Sequence, residues 1–153
     1  MEMGTIERQL YVEAAPEVVF AVVSEPEHVK RWWPDEADYP LEPGGPGRIG
    51  FAEDGGATHW ETFTVVEVDP PHRFTFRWSY PQGVPARRGN SFLVEFVLAP
   101  EGKGTRLTMT ETGFREQGWT EAQVVAAYED HVAGWDHFLP LLPRYAESLE
   151  VPA

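Results

Sequence analysis

The chain has 153 residues and no cysteine, so one core of ordinary size is expected, and disulfides, thiolate zinc sites and a cysteine nucleophile are excluded. Its 25 acidic and 12 basic residues give a formal charge of -13, which disfavours binding to nucleic acid or to an anionic membrane. The N-terminus has no signal-peptide pattern and no stretch is long enough to span a membrane, so we expect a cytoplasmic protein with a single domain over 1–153.

The N-terminal third of the chain predicts one strand followed by two short helices. Alternating apolar residues indicate a half-buried strand over 5–13. Pro16 suits a first helical turn and is followed by valines at helical spacing, and a second helix is predicted over 26–33, where the next proline ends it. The segment 34–47 is rich in proline, glycine and acidic residues, which predicts a surface loop that could act as a lid.

The middle of the chain predicts an antiparallel meander. Runs of strand-forming residues are separated by turn-forming sequences such as EDGGA, DPPH and PEGKG, and they cover 48–53, 59–68, 73–80, 91–98 and 105–112. In 73–80 the aromatic side chains share one parity, so we expect that face to be buried and the alternate face to meet solvent. By the same alternation, Glu111 in the last run lies on an apolar face together with Leu107 and Met109.

The C-terminal segment predicts a long amphipathic helix. Thr120 and Gln123 match a capping box, and apolar residues recur at helical spacing from Val124 to Leu142. Pro140 would remove a backbone hydrogen bond within this pattern. We therefore expect a kink or a break in the helix at that residue.

The order strand, two short helices, meander and long helix is similar to that of the START-like helix-grip fold. The runs EVDPPHRFTFRW (67–78), GTRLTMTETGF (104–114) and HVAGWDHFL (131–139) resemble the polyketide-cyclase and lipid-transfer superfamily, SRPBCC. With SEPEHVKRWWP (24–34), they look most like the branch named for activators of the heat-shock chaperone ATPase. The resemblance implies an α+β fold in which a curved antiparallel sheet wraps around the long C-terminal helix.

This resemblance also implies a cavity between the concave face of the sheet and the terminal helix. The aromatic content, 13% of the chain, suits such a cavity, because large rings line cavities as well as fill cores. The candidate ligand-binding residues are Trp33, Phe76, Trp78, Phe96, Met109, Glu111, Tyr128, His131 and Trp135. Ordinary core packing is the alternative role for each large apolar side chain.

Glu111 and His131 are the candidate catalytic residues. A carboxylate on an apolar face must be paired, hydrogen-bonded or protonated, and an imidazole on the long helix could be its partner in proton transfer. The alternatives are that Glu111 lies at the rim in water or that a bulge turns it outward. His59 and Glu61 project from one face of a strand without a third ligand, so no metal site is predicted.

We expect the chain to bind a small hydrophobic or aromatic molecule in this cavity, with no cofactor and no nucleic-acid or membrane partner. One alternative is an enzyme of the polyketide cyclase or aromatase type that uses acids and bases in the cavity. Another is a module that interacts with a chaperone or a regulator. The members that gave the branch its name carry an additional chaperone-binding domain, for which 153 residues leave no room, so a chaperone is the weaker expectation. Homodimer formation is left open.

Overall fold

Residues 3–149, the part of the chain described by the computed structural model, form seven strands and four helices. In chain order these are β1 (Thr5–Val12), α1 (Pro16–Ser24), α2 (Pro26–Val29), β2 (Glu36–Asp38), β3 (Pro46–Ala52), β4 (Thr58–Asp69), β5 (Arg73–Trp78), β6 (Phe92–Glu101), β7 (Gly104–Thr112), α3 (Glu121–Phe138) and α4 (Leu141–Leu149). The ends of the predicted range 1–153 lie outside the described residues. Within 3–149, no helix is both long enough and apolar enough to cross a bilayer.

All strands belong to one antiparallel sheet in the order β1-β7-β6-β5-β4-β3-β2. The meander from β3 to β7 is formed as predicted, β2 extends it at one edge, and β1 completes the sheet by pairing with β7. The sheet is curved and carries α3 on its concave side, so the predicted α+β helix-grip fold is confirmed.

The inner face of the sheet is apolar because side chains alternate along each strand. The fully buried residues on this face include Phe63, Phe74, Phe76, Phe96, Leu107 and Met109. Alternation does not decide exposure on the other face, however. Thr75, which the parity of β5 assigns to the solvent side, is only 5% exposed. It lies in register between Glu67 of β4 and Glu95 of β6, so side chains of both neighbouring strands can cover it.

Two predictions for residues 26–47 were wrong in part. Helix α2 ends at Val29 rather than at Trp33, and residues 30–33 form turns. The indole nitrogen of Trp32 donates to the Val22 carbonyl of α1 at 2.9 Å, a tertiary contact that helical continuation would not provide. The predicted surface loop contains the edge strand β2 and the start of β3. It is also anchored to the core, since the Tyr39 hydroxyl donates to the Ser24 carbonyl at 2.6 Å.

Helix α3 begins with the predicted capping box and ends near the predicted proline. The Thr120 hydroxyl accepts from the Gln123 amide at 3.2 Å, and the Gln123 side chain accepts from the Thr120 amide at 2.9 Å. The helix ends at Phe138, and α4 begins directly after Pro140. The predicted break is thus confirmed, because proline cannot continue the backbone hydrogen bonds of α3.

Candidate functional site

Glu111 is a fully buried carboxylate on the inner face of β7. Its side chain is 0% exposed, and it lies in register between Ile6 of β1 and Val94 of β6, both also 0% exposed. Strand β7 pairs with both neighbours without a bulge, so the period of two is preserved up to this residue. The inward prediction is confirmed, and the alternatives of a solvated rim or an outward turn are wrong.

Three side chains donate hydrogen bonds to this carboxylate. Oε2 accepts from the indole nitrogen of Trp78 at 2.8 Å. Oε1 accepts from the indole nitrogen of Trp135 at 2.8 Å and is 2.9 Å from Nδ1 of His131. Because Trp78 belongs to β5 while the other two residues belong to α3, one carboxylate connects the long helix to two strands of the sheet. A carboxylate in its ionised form only accepts, so three donors suit it well.

His131 is the ionisable partner of Glu111. Its side chain is 13% exposed. Burial by itself lowers the pKa of this imidazole, but the hydrogen bond to Glu111 and the negative charges of Glu111, Asp130 and Glu61 outweigh that effect, and the net pKa is raised above its ordinary value. Nδ1 of this imidazole lies on Glu111, so Nε2 is the ring nitrogen that remains for another molecule.

An open cavity of about 240 Å³ lies between α3 and the sheet, next to this pair. We call it the aromatic cavity; it is lined by Trp33, Phe51, His59, Glu61, Trp78, Ser79, Asp130, His131, Gly134, Trp135 and Phe138. Trp33 is the central ring, with its centroid 5.1 Å from that of Trp78 and 4.9 Å from that of Trp135. The cavity thus has aromatic walls contributed by both the helix and the sheet.

Gly134 leaves part of this space open. It lies inside α3, where glycine costs about 0.5 to 1 kcal/mol relative to alanine. A Cβ atom built at this position would meet no heavy atom within 4 Å in the described part of the chain, so no neighbouring side chain or strand requires a glycine there. The residue keeps the helix wall of the cavity free of a side chain at this point.

The mouth of the cavity is polar and acidic. Nε2 of His59 and Oε2 of Glu61 are 2.6 Å apart on β4, with side chains 54% and 24% exposed. Asp130 faces the cavity from α3. Among the described residues, no group of three or more potential ligand side chains is arranged to hold a metal ion.

The structure divides the sequence candidates into two sets. Trp33, Trp78, His131 and Trp135 line the aromatic cavity, and Glu111 lies behind them as the hydrogen-bond partner of the last three. The others do not line it: Phe76, Phe96 and Met109 are each 1% exposed within the core, and Tyr128 donates from its hydroxyl to the Thr5 carbonyl at 3.0 Å.

Sequence reasoning missed several lining residues, although two patterns could have found them. Asp130, Gly134 and Phe138 recur at intervals of four along α3, which places them on one face of the helix. His59 and Glu61 have the same parity as Phe63 on β4, which places both side chains on the inner face of the sheet.

A model of the family described as Activator of Hsp90 ATPase homolog 1-like protein matches residues 13–147. The chain belongs to this family. The match begins directly after β1 and extends from α1 into α4, and it confirms the START-like resemblance deduced from the sequence runs. No curated protein matches the chain at a significant level.

Several solved structures share this fold. Protein NE0264 from Nitrosomonas europaea has a TM-score of 0.79 at 18% identity, covering 98% of each chain. CalU16 from Micromonospora echinospora has a TM-score of 0.60 at 21% identity, covering 97% of this chain and 86% of its own. DynU16, a protein in the dynemicin biosynthetic locus, has a TM-score of 0.69 at 26% identity, and the match covers 94% of this chain but 47% of DynU16.

This protein also has a second, larger groove of about 1020 Å³ on the opposite face of the sheet. Its wall includes Trp60, Thr62 and Thr64, which alternate along β4 with the inward residues. The guanidinium of Arg48 lies 3.9 Å from the centroid of the Trp60 ring. Residues of the segment 34–47 line this groove and not the aromatic cavity, so the loop does not cover the cavity as a lid.

Proposed function

We propose that this protein binds a small hydrophobic or aromatic molecule in the aromatic cavity. Trp33, Trp78, His131 and Trp135 would contact the ligand, and Glu111 would hold three of these four side chains in place. The observation that carries the proposal is the cavity itself, in which five aromatic side chains stand beside polar groups that can orient a ligand. Such a composition is typical of small-molecule sites.

Gly134 supports the same proposal. An internal glycine that nothing nearby requires lowers helix stability, so its role is best explained by the space that it leaves. That space opens beside Trp135 and Phe138, against which a flat or branched apolar ligand could pack. A domain with a simply filled core would gain stability from an alanine or a larger residue at this position.

The test is to fill the cavity from the helix. Gly134→Leu places a branched side chain in the cavity, and Gly134→Ala is the matched control that adds a single methyl group. We expect a panel of aromatic and apolar compounds to change the tryptophan emission of the wild type and of Gly134→Ala, and to leave that of Gly134→Leu unchanged. Native mass spectrometry of each purified protein would show whether a co-purified ligand is present in the wild type and in Gly134→Ala and absent from Gly134→Leu.

Equal binding by all three proteins would contradict the assignment of the ligand to this cavity. Failure of every compound to bind the wild type would contradict the binding function and favour an interaction module that acts on a chaperone or a regulator. Thermal unfolding of each variant separates a loss of binding from a loss of folding.

A second candidate is an enzyme of the polyketide cyclase type, and the Glu111–His131 pair favours it. The carboxylate fixes Nδ1 of His131 at 2.9 Å, while the ring borders the cavity. An imidazole oriented in this way can transfer a proton to or from a bound molecule through Nε2. His131→Gln should then abolish turnover of a bound compound while leaving its binding within about threefold of wild type. Turnover retained by this variant would contradict the catalytic role.

A further inference from the structure

We propose that the ligand of the aromatic cavity is an organic cation, a small molecule with a positively charged amine or ammonium group on an apolar or aromatic body. This inference rests on the proposed binding function and specifies the chemical class of the ligand. Two independent features of the cavity carry it: the arrangement of its rings and the sign of its charges.

The rings pack against one another in the cavity wall. Trp33 approaches Trp78 edge to face, with an interplanar angle of 73°, and lies tilted by 32° against Trp135. Phe51 adds a fourth ring, with its centroid 6.1 Å from that of Trp33. A cation placed over the face of an aromatic ring is attracted by its π electrons, most strongly by those of an indole. Indole nitrogens 2.8 Å from Glu111 hold Trp78 and Trp135 in these orientations before a ligand binds.

The charges around the cavity are negative. The acidic side chains that line the cavity are Glu61 on β4 and Asp130 on α3, while Glu111 lies behind the wall, paired with His131. Nε2 of His59 lies 2.6 Å from Oε2 of Glu61. No lysine or arginine is among the described residues that line the cavity. The chain as a whole carries a formal charge of -13, which attracts cations at long range.

These features together distinguish three classes of ligand. A cation would gain from the ring faces and from both carboxylates, a neutral molecule would gain only from apolar contact, and an anion would be repelled by Glu61 and Asp130. The polar mouth and the aromatic interior therefore fit a molecule that places its charged group near the two carboxylates and its apolar body among Trp33, Trp78 and Trp135.

Three probes of nearly the same shape test this inference. Benzyltrimethylammonium is a permanent cation, neopentylbenzene is its neutral carbon isostere, and benzylsulfonate is a tetrahedral anion on the same ring. Affinities for the full-length protein can be measured by tryptophan fluorescence and by isothermal calorimetry at fixed ionic strength. We expect the cation to bind about tenfold more tightly than the neutral isostere, and the anion to bind more weakly than both.

Substitutions at the mouth show whether the preference arises there. Glu61→Gln and Asp130→Asn should each lower the affinity for the cation by about two- to fivefold and leave that for neopentylbenzene unchanged. Glu129→Gln is the matched control, because this neighbouring carboxylate on α3 is exposed and does not line the cavity. Asp130 is also exposed, so its variant remains informative if Glu61→Gln is poorly folded.

The outcomes separate the charge of the ligand from the binding function of the cavity. A neutral isostere that binds as tightly as the cation would overturn the cation assignment and leave the cavity function intact. An equal loss of cation affinity in Glu129→Gln would overturn it too, since the effect would then be one of overall charge. If none of the probes binds, the proposed function fails and this inference fails with it.

Discussion

Substituting Glu111 by glutamine is the sharpest test of the polar network. The amide oxygen can replace Oε1, which accepts from His131 and Trp135, but the amide nitrogen then faces the indole N–H of Trp78. One buried donor loses its acceptor, and two hydrogen bonds to a charged group become neutral ones. With about 1 to 3 kcal/mol for the first effect and about 1 kcal/mol for each of the others, we expect a loss of about 3 to 5 kcal/mol in the free energy of unfolding.

Urea unfolding followed by far-UV circular dichroism measures this loss, and a double-mutant cycle assigns it. Trp78→Phe removes the donor that opposes the new amide, so the double variant should be more stable than the sum of the single effects by about 1 kcal/mol or more. Glu7→Gln is the control, an exposed carboxylate on neighbouring β1 that should change stability by less than about 0.5 kcal/mol. A Glu111→Gln loss as small as that of Glu7→Gln, with no coupling to Trp78, would refute the reasoning.

Two further predictions concern α3. Gly134→Ala should raise the free energy of unfolding by about 0.5 to 1 kcal/mol, since its methyl group meets open space; thermal unfolding checks this, and a loss of stability would contradict it. The pKa of His131 is raised above 6.5 in the folded protein, so its stabilising contribution is full below that value and is lost as the pH rises through the folded pKa. As the pH rises above 6.5, the free energy of unfolding measured with urea should therefore decline more steeply for the wild type than for His131→Gln.

The architecture could be predicted because it depends on local periodicity. Strands β4 to β7 follow alternation and turn chemistry, and α3 follows its capping box and its apolar stripe. The exceptions come from contacts between distant segments. The chain bends after Val29 where Trp32 bonds to α1, and Tyr39 fastens a segment whose composition predicts only a loop. Secondary-structure propensity depends on residues that are adjacent in sequence, so it does not reveal contacts between distant segments.

The candidate site was predictable in part for the same reason. A strand period of two is enough to place Glu111 inward, and the single long helix makes His131 a reasonable partner. Periodicity does not show which way an indole nitrogen points, so the bonds from Trp78 and Trp135 to this carboxylate could not be deduced. The acidic mouth was missed because alternation identifies an inward residue without showing whether packed core or open space lies beside it.

The polar network and the open space lie on the same helix, and this arrangement links stability to binding. At Glu111 the sheet holds α3 through His131 and Trp135, whereas at Gly134, one turn of the helix beyond His131, there is no side chain to fill the gap. A ligand in the aromatic cavity would supply the missing contacts and would be absent from the unfolded chain. It should therefore stabilise the fold by mass action, by about 2.7 kcal/mol at a free concentration one hundred times its Kd. In Gly134→Leu the side chain occupies that space permanently, so the stability of this variant should no longer depend on ligand concentration.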